Sequence, residues 1–342
     1  MAQSTVFVSV IMPVRNEEAF IDRSLEAVLN QDYPAEAMEI LMADGLSNDR
    51  TLDIIQALPG AERVRIIPNP QRIQAAGLNK ALQHAQGDVI IRVDGHTVIA
   101  PDYVRQCVTL LQETGAYTVG GSIAPVGITS LGKAIACASR SPFAVPGAFH
   151  TSQTGQYTDT VYMGAWPRRV FELVGGFDER LPINEDYELN YRIRQAGGRI
   201  YFSPQIRSEY FGRQTFRALA WQYFHYGKGK IGTLRKHPAS LRPRQLAAPT
   251  FVSALVGGVL LALIVPPVWI FWLCMLLVYL AAALFFSFTA ARQAHYTLFW
   301  NILLVFIIIH LTWGAGFWAG FLENMFHRTR GQLAPSPSHQ ES

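Results

Sequence analysis

The stretch "GDVIIRVDGHTV", Gly87–Val98, joins an apolar run to an acidic turn. Four of the five residues from 89 to 93 are apolar, which is typical of a strand buried on both faces. The run ends at Asp94-Gly95-His96, where the histidine takes the place of the second carboxylate of an Asp-X-Asp metal clamp. The three residues are thus a working metal site, a disabled one or an ordinary turn.

Strand and helix patterns alternate on both sides of this stretch, which predicts an α/β fold with a largely parallel sheet. From residue 117 onward the alternation is weaker, and Ser139–Tyr157 is rich in Gly, Pro, Ser and Thr. A loop of that length is typical of a lid or binding loop. The predicted strands are "TVFVSVIMPV", "MEILMADG", "RVRIIPNP", "GDVIIRV" and "AYTVGGSIAPV". The predicted helices include "EEAFIDRSLEAVLNQ", "SNDRTLDIIQAL", "IQAAGLNKALQHA", "APDYVRQCVTLLQET", "RRVFELVGGF" and "NEDYELNYRIRQAGG".

Charge is distributed unevenly along the 342 residues. Charged residues make up 16% of the chain, and between Ala247 and Leu322 the only formal charge is Arg292. Apolar stretches of this length predict membrane helices. We therefore expect a head at 1–245, a membrane part at 246–327 with two to three spans (about 249–265, 268–288 and 298–321), and a disordered polar tail at 328–342.

Basic residues precede the first apolar span, at Arg235, Lys236, Arg242 and Arg244. By the positive-inside rule the head faces the cytoplasm. An anionic membrane surface explains the net charge of +4 better than nucleic acid does, so we expect no nucleic-acid partner. Three full spans would place the basic tail outside, against the same rule, so the number of spans stays open.

Acidic and basic residues stand at the carboxyl ends of several predicted strands, where ligands of open α/β sheets bind. Arg15 and Glu17 follow the first strand, Asp44 ends the second, and Arg72 follows the third. Asp94 and His96 follow the fourth. Further along, Glu185, Asp186 and Glu188 cluster at a helix start. Carboxylates at this position interact favourably with the helix dipole. Adjacent carboxylates also raise one another's pKa, as a general base requires.

In their order these motifs resemble those of the family 2 inverting glycosyltransferases, which have the GT-A fold, a Rossmann-like and mostly parallel sheet. Within that family the chain is most similar to membrane-anchored bacterial exopolysaccharide glucosyltransferases of the succinoglycan type. The matching segments are "SVIMPVRNEEAFIDRSLEAVLNQDYP", "DGLSNDRT", "AAGLNKAL", "GAWPRRVFELVGGFDERL", "NEDYELNYRIRQAGG", "YGKGK" and "HLTWGAGFWAGF".

The resemblance assigns roles to individual residues. It implies that Asp186 is the catalytic base and that Glu185 precedes it on the acceptor side. Asp44 would hydrogen-bond the uracil ring, Arg72 would lie beside the base and phosphates, and Asp94 would anchor the sugar nucleotide and a divalent metal, Mg²⁺ or Mn²⁺. The base and ribose pocket would be formed by Pro13, Val14, Arg15 and Glu17. The segment closing over the diphosphate would contain Arg213, Gln222, Tyr226 and Lys228.

His96 departs from the Asp-X-Asp pattern of the family. Hard cations prefer oxygen ligands, so an imidazole ligand favours Mn²⁺ over Mg²⁺. A cationic histidine that contacts a phosphate is the alternative, and a disabled site is the third. Because the other motifs are intact, we expect an active site with metal bound through Asp94.

The function implied is transfer of a hexose, glucose by resemblance, from a UDP-sugar to a polyprenyl-diphosphate-linked saccharide at the bacterial inner membrane. A processive synthase of the cellulose or hyaluronan type is an alternative, but no Gln-X-X-Arg-Trp segment occurs. A non-catalytic membrane scaffold or sensor that binds sugar nucleotide is another, favoured only by His96. Transfer to a polyprenyl phosphate is a further one. The oligomeric state is open.

Overall fold

The computed structural model describes residues 5–144 and 152–331. The strands in these residues are β1 Val8–Val14, β2 Met38–Asp44, β3 Val64–Pro68, β4 Val89–Arg92, β5 Thr97–Ile99, β6 Thr118–Val126, β7 Gln156–Thr158, β8 Ala165–Pro167 and β9 Ile200–Phe211. The helices are α1 Ile21–Leu29, α2 Thr51–Ala57, α3 Gln74–His84, α4 Tyr103–Thr114, α5 Ser130–Ser139, α6 Arg168–Val174, α7 Glu185–Gln195, α8 Phe216–Lys236, α9 Ala247–Ala262, α10 Val268–Gln293 and α11 Phe299–Gly331.

The described strands form one mixed sheet in the order β3-β2-β1-β4-β8-β6-β9-β5, with β7 paired to β9. The half that contains β3, β2, β1 and β4 is parallel, whereas β8 runs antiparallel to both β4 and β6. Every residue of β1 is buried, as expected for a strand covered by helices on both faces. The predicted α/β fold with a mostly parallel sheet is confirmed in this half.

The two longest elements that the sequence did not predict are β9 and α8. Ile200–Phe211 is a twelve-residue strand that pairs in parallel with β6. Phe216–Lys236 is a helix of 21 residues, although it contains three glycines, which disfavour helix. The predicted loop Ser139–Tyr157 begins at the last residue of α5 and ends in β7, and its central residues 145–151 lie outside the described residues. So do residues 332–342 of the predicted tail.

Three helices of the described residues are long and apolar enough to cross a membrane: Pro243–Ala262, Val268–Gln293 and Tyr296–Met325. The expected apolar helices are thus present, and the first of them is one continuous helix over Ala247–Ala262. The division of the chain at residue 245 stays a prediction. We call residues 5–144 and 152–246 the head, and α9, α10 and α11 the apolar helices.

Helix α8 of the head packs against α11 with the backbones in close contact. A Cβ atom on Gly316 would lie 1.9 Å from the carbonyl oxygen of Phe224, and one on Gly227 would lie 2.0 Å from that of Trp313. Gly316 and Gly320 form a small-xxx-small pair, a spacing common where helices pack closely. Both glycines face α8, so the glycines of the two helices allow the head to rest directly on an apolar helix.

Candidate active site

The loops that follow β1 and β2 are joined by hydrogen bonds at the carboxyl edge of the sheet. The Asn16 amide donates to Ser47 Oγ at 3.0 Å, and the Glu17 amide donates to Thr51 Oγ1 at 2.7 Å. Asp44 is buried, and its carboxylate accepts the Ser47 hydroxyl at 2.6 Å and the Ser47 amide at 3.2 Å. Asp44 therefore already orders this edge, and its proposed bond to a uracil ring stays a prediction.

Left-handed backbone conformations are concentrated around this edge. Among the described residues the non-glycine residues with positive φ are Asn16, Leu46, Arg72, Met163 and Asn184. The first three lie in the loops that follow β1, β2 and β3, and Asn184 directly precedes α7. Strained conformations of this kind cluster at ligand sites. Arg15 and Arg72 have exposed side chains, and Pro13 and Val14 are buried at the end of β1.

Arg92 is the central charge of the site, and the sequence analysis did not select it. Its side chain is 5% exposed and binds both oxygens of Asp94, with Nε–Oδ1 at 2.7 Å and Nη2–Oδ2 at 3.1 Å. Its Nη1 donates to Glu185 Oε1 at 3.0 Å. One buried guanidinium thus joins the strand-end aspartate to the acidic start of α7. The signal was present as a lone charge in the apolar run "VIIRV", because a buried charge requires a partner.

Asp94 and His96 are held by different partners. Burial acts to raise the pKa of Asp94, but the guanidinium of Arg92 lowers it below its usual value, so this carboxylate is ionised. His96 Nδ1 lies 2.9 Å from Glu17 Oε1. Burial acts to lower the pKa of His96, but the hydrogen bond and charge of Glu17 raise it above its ordinary value. The turn at Asp94, closed by the Thr97 amide, therefore carries two oriented functional groups.

The donor set suits a divalent ion only in part. Asp94 offers carboxylate oxygens that, beside their bonds to Arg92, accept only long hydrogen bonds from Gln74 at 3.5 Å and Tyr162 at 3.4 Å, and His96 offers Nε2. Nowhere in the described residues do three or more His, Cys, Asp or Glu side chains come together to hold a metal ion. An ion at Asp94 would therefore complete its coordination with oxygens from a ligand or water, as Mg²⁺ commonly does with phosphates.

Glu185 and Asp186 begin α7 and differ in their surroundings. Burial raises the pKa of Glu185 to about 7, the charge of Arg92 acts to lower it, and that of Asp186 raises it. Burial also raises the pKa of Asp186, whose Oδ1 accepts only the amide of Tyr187 among the hydrogen bonds of the described residues. Glu185 is thus engaged by Arg92, whereas Asp186 keeps a carboxylate oxygen available for a substrate proton. A carboxylate with a raised pKa suits a general base.

A cavity of about 550 Å³ contains this cluster. The predicted site residues that line it are Asp94, His96, Glu185, Asp186, Arg213, Gln222 and Tyr226. Residues that sequence reasoning missed also line it: Gln74, Arg92, Tyr162 and Tyr210. Tyr162 donates to Asp94 Oδ2 at 3.4 Å, and Gln222 Nε2 donates to the hydroxyl of Tyr226 at 2.8 Å. The fold therefore brings residues from β4, α7 and α8 around one space.

Other predicted residues lie outside this lining. Pro13, Val14, Arg15, Glu17, Asp44 and Arg72 belong to the neighbouring strand-end loops, with Glu17 connected through His96. Lys228 is paired with Glu323 of α11 at 2.7 Å and does not line the cavity. Its predicted place over a diphosphate is therefore not supported by its position in this structure.

Two sequence models of protein families match this chain. Residues 9–142 match the sequence model of "Glycosyl transferase family 2", and residues 89–319 match that of "Glycosyl transferase family group 2". The chain is 32% identical over 320 residues to the succinoglycan biosynthesis protein ExoA of Rhizobium meliloti (strain 1021), covering 92% of this chain and 94% of that one.

Two further proteins are similar over most of the chain. A dolichyl N-acetyl-alpha-D-glucosaminyl phosphate 3-beta-D-2,3-diacetamido-2,3-dideoxy-beta-D-glucuronosyltransferase of Methanococcus voltae is 30% identical over 241 residues, covering 67% of this chain and 74% of that one. The mannosyltransferase PcManGT from Pyrobaculum calidifontis, solved with GDP-Man and Mn²⁺, superposes with a TM-score of 0.61 at 18% identity. That match covers 90% of this chain and 86% of PcManGT, and it shows that the two share a fold.

Proposed function

Because the chain belongs to glycosyltransferase family 2, we propose that it transfers a hexose, glucose in the first instance, from a UDP-sugar to a lipid-linked saccharide with inversion at the anomeric carbon. The observation that carries this proposal is the cavity that contains both Asp94 and Asp186, joined through Arg92 and Glu185. The similarity to a succinoglycan biosynthesis protein supports exopolysaccharide assembly as the process.

In the proposed reaction Asp186 accepts the proton of the acceptor hydroxyl as the hydroxyl oxygen attacks the anomeric carbon. The bond from that carbon to the diphosphate oxygen breaks, and the nucleoside diphosphate leaves from the opposite face. A positioned general base contributes about 10²–10⁴-fold to the rate. Arg92 holds Glu185 and Asp94 in place, and its charge partly offsets the rise that burial causes in the pKa of Asp186.

We assign the donor side to the edge formed by the loops after β1, β2 and β4. Asp94 and His96 would hold a divalent ion, which supplies a Lewis acid for the departing diphosphate. Arg213 lines the same cavity and would bind phosphate oxygens. The base and ribose would contact Pro13, Val14, Arg15, Glu17, Asp44 and Arg72, as the family resemblance implies.

We also propose that the head faces the cytoplasm of a bacterial inner membrane. The basic residues before α9, at Arg235, Lys236, Arg242 and Arg244, support that orientation. The apolar helices would then hold the cavity beside the bilayer in which a lipid-linked acceptor resides.

The test is UDP release by the full chain in detergent, with UDP-glucose and other UDP-sugars, with lipid extract as acceptor and with Mg²⁺, Mn²⁺ or EDTA. Asp186→Asn should reduce turnover about 10²–10⁴-fold while UDP binding is retained. Asp53→Asn, at an exposed carboxylate on α2, is the matched control and should leave turnover unchanged. UDP binding without turnover for any sugar would contradict the transferase and favour a sugar-nucleotide sensor or scaffold.

A further inference from the structure

A second cavity, of about 640 Å³, lies between the head and the apolar helices. It shares five wall residues with the cavity that contains Asp186, namely Thr160, Asn184, Tyr187, Tyr223 and Tyr226. Tyr187 directly follows Asp186 in α7. The two cavities are therefore adjacent. A molecule bound beside Tyr187 in the second cavity would contact the residue that directly follows the proposed base in the sequence.

The wall on the side of the apolar helices is aromatic and apolar. Phe251 of α9, Tyr279 of α10 and Trp313 of α11 line it. Tyr279 and His310 of this wall are hydrogen-bonded within the protein, since the Tyr279 hydroxyl lies 3.0 Å from His310 Nδ1 and His310 Nε2 lies 2.8 Å from the Phe143 carbonyl oxygen. A mainly aromatic wall whose Tyr279 and His310 are already paired suits a hydrocarbon chain, because covering these two groups loses few hydrogen bonds to water.

The end of the cavity nearest the head carries excess positive charge. Arg244 lines the cavity and pairs with Asp159 at 3.1 Å, and Arg242 pairs with the same carboxylate at 3.5 Å. Lys230 is 3% exposed, with its Nζ 4.0 Å from the centre of the Tyr187 ring and 3.4 Å from the Ser240 carbonyl oxygen. These three cations, in the described part of the chain, form ion pairs with one carboxylate only.

The environment of Lys230 is that of an incompletely neutralised cation. Burial, together with the charges of Arg242 and Arg244, lowers its pKa to about 8, while Asp159 acts in the opposite direction. Buried charges are normally paired with a group of opposite sign. An anionic ligand beside Tyr187 would supply the missing charge, and phosphate is the anion that arginine binds in bidentate geometry.

We propose that this second cavity binds the acceptor, as an amphiphile whose phosphate-bearing head contacts Arg244, which lines the cavity, and is attracted by the charges of Arg242 and Lys230, which lie nearby but do not line it. Its hydrocarbon chain would lie against α9, α10 and α11, and its reacting hydroxyl would extend past Tyr187 to Asp186. This inference rests on the proposed transferase function. A membrane phospholipid has the same chemistry, but the shared wall with the cavity of Asp186 favours the acceptor.

The test is equilibrium binding to the full chain in detergent, with farnesyl diphosphate as the probe and with farnesol and inorganic pyrophosphate as its two halves. Arg244→Gln should weaken farnesyl diphosphate about 10–100-fold, the range for a lost charge-assisted bond. The binding of UDP should be unchanged. Arg235→Gln, at an exposed arginine near the end of α8, is the matched control and should change neither.

A second variant tests the apolar wall independently of charge. Ala248→Leu places a larger side chain in the lining and should weaken farnesyl diphosphate and farnesol but not pyrophosphate. Equal binding of farnesyl diphosphate by Arg244→Gln and Arg235→Gln would overturn the proposal. So would displacement of the probe by phosphatidylglycerol at equal concentration, which would identify a structural lipid site.

The same measurements separate this proposal from the proposed function. If no UDP-sugar is turned over but farnesyl diphosphate binding depends on Arg244, the transferase fails and the amphiphile site stands. If sugar transfer occurs and Arg244→Gln leaves both farnesyl diphosphate binding and the KM for the lipid acceptor unchanged, the transferase stands and this site is wrong.

Discussion

Replacing Arg92 by methionine tests the buried charge network directly. The change keeps much of the side-chain volume but removes the cation that binds Asp94 and Glu185, whose side chains are 5% and 6% exposed. Removing one partner of a buried ion pair costs about 3–5 kcal/mol, because the remaining charge is left buried without compensation. At roughly 2–4 °C per kcal/mol for a domain of this size, the melting temperature should fall by about 6–20 °C.

The loss of stability in Arg92→Met should also depend on pH, and the direction follows from the pKa of Glu185. The pKa of Glu185 is raised from 4.5 to about 7 in the folded protein. The folded state therefore binds this proton more tightly than the unfolded state, and Glu185 reduces stability progressively as the pH rises from about 4.5 to 7. Without Arg92 the pKa of Glu185 rises further, and the pKa of Asp94 is no longer held below its usual value. The loss of stability in Arg92→Met should thus be larger at about pH 8 than at about pH 5.

The assay is thermal unfolding of the full chain in detergent at both pH values. Arg105→Met is the matched control, since Arg105 pairs with Asp32 at 3.0 Å on the surface, with side chains 49% and 64% exposed. An exposed pair contributes about 0–1 kcal/mol, so the control should hardly change. Arg92→Lys should be intermediate, because lysine keeps the charge but not the forked geometry. A cost below about 1 kcal/mol for Arg92→Met, or one independent of pH, would refute the reasoning.

Three further outcomes are expected. Gly316→Leu should destabilise the protein by about 1–3 kcal/mol or more, because the new side chain would meet the Phe224 backbone. Gly257→Leu is the control and should not destabilise it, since a Cβ atom on Gly257 would have no atom within 4 Å. Thermal unfolding in detergent compares the two variants. His96→Ala should weaken the activation of UDP release by Mn²⁺ more than that by Mg²⁺, and equal loss for both would contradict ligation by the imidazole. Burial acts to raise the pKa of Glu188, but hydrogen bonds from a neighbouring arginine and histidine lower it below its usual value. The contribution of Glu188 to stability is therefore present above about pH 4.5 and is lost as the pH falls through the lowered pKa. Glu188→Gln should therefore reduce the acid-side decline in melting temperature measured below that pH, and an unchanged decline would count against this role.

The strands and helices that could be predicted are those whose own residues show a strand or helix pattern. The apolar runs of β1, β2 and β4 and the helical spacing of α1 can be read within a few residues, and the structure has all four. Strand β9 was missed because its stability comes from pairing with β6, about 80 residues earlier in the chain. Helix α8 was missed because its glycines disfavour helix, and they are present to allow contact with α11.

In the candidate site, too, residues in local motifs could be predicted and their long-range partners could not. Asp94, His96 and Asp186 could be selected from motifs, because each stands at a strand end or helix start. The partners that orient them could not, since Arg92 reaches Glu185 across 93 positions and His96 reaches Glu17 across 79. The spacing of residues in a single sequence does not indicate which members of such distant pairs meet in the fold.

The close contact of α8 with α11 has a consequence for the length of the product. Glycines bring the two backbones together, and a contact this close would resist tilting of the head relative to the apolar helices. The carboxylate at the start of α7 would then stay at a constant height above them. On the proposed function, a lipid-anchored saccharide presents its terminal hydroxyl at that height only at one stage of growth. After one addition the new terminus lies about one sugar further out, beyond reach. A fixed spacing between membrane and base would therefore limit the enzyme to a single addition and pass the lengthened saccharide to another transferase.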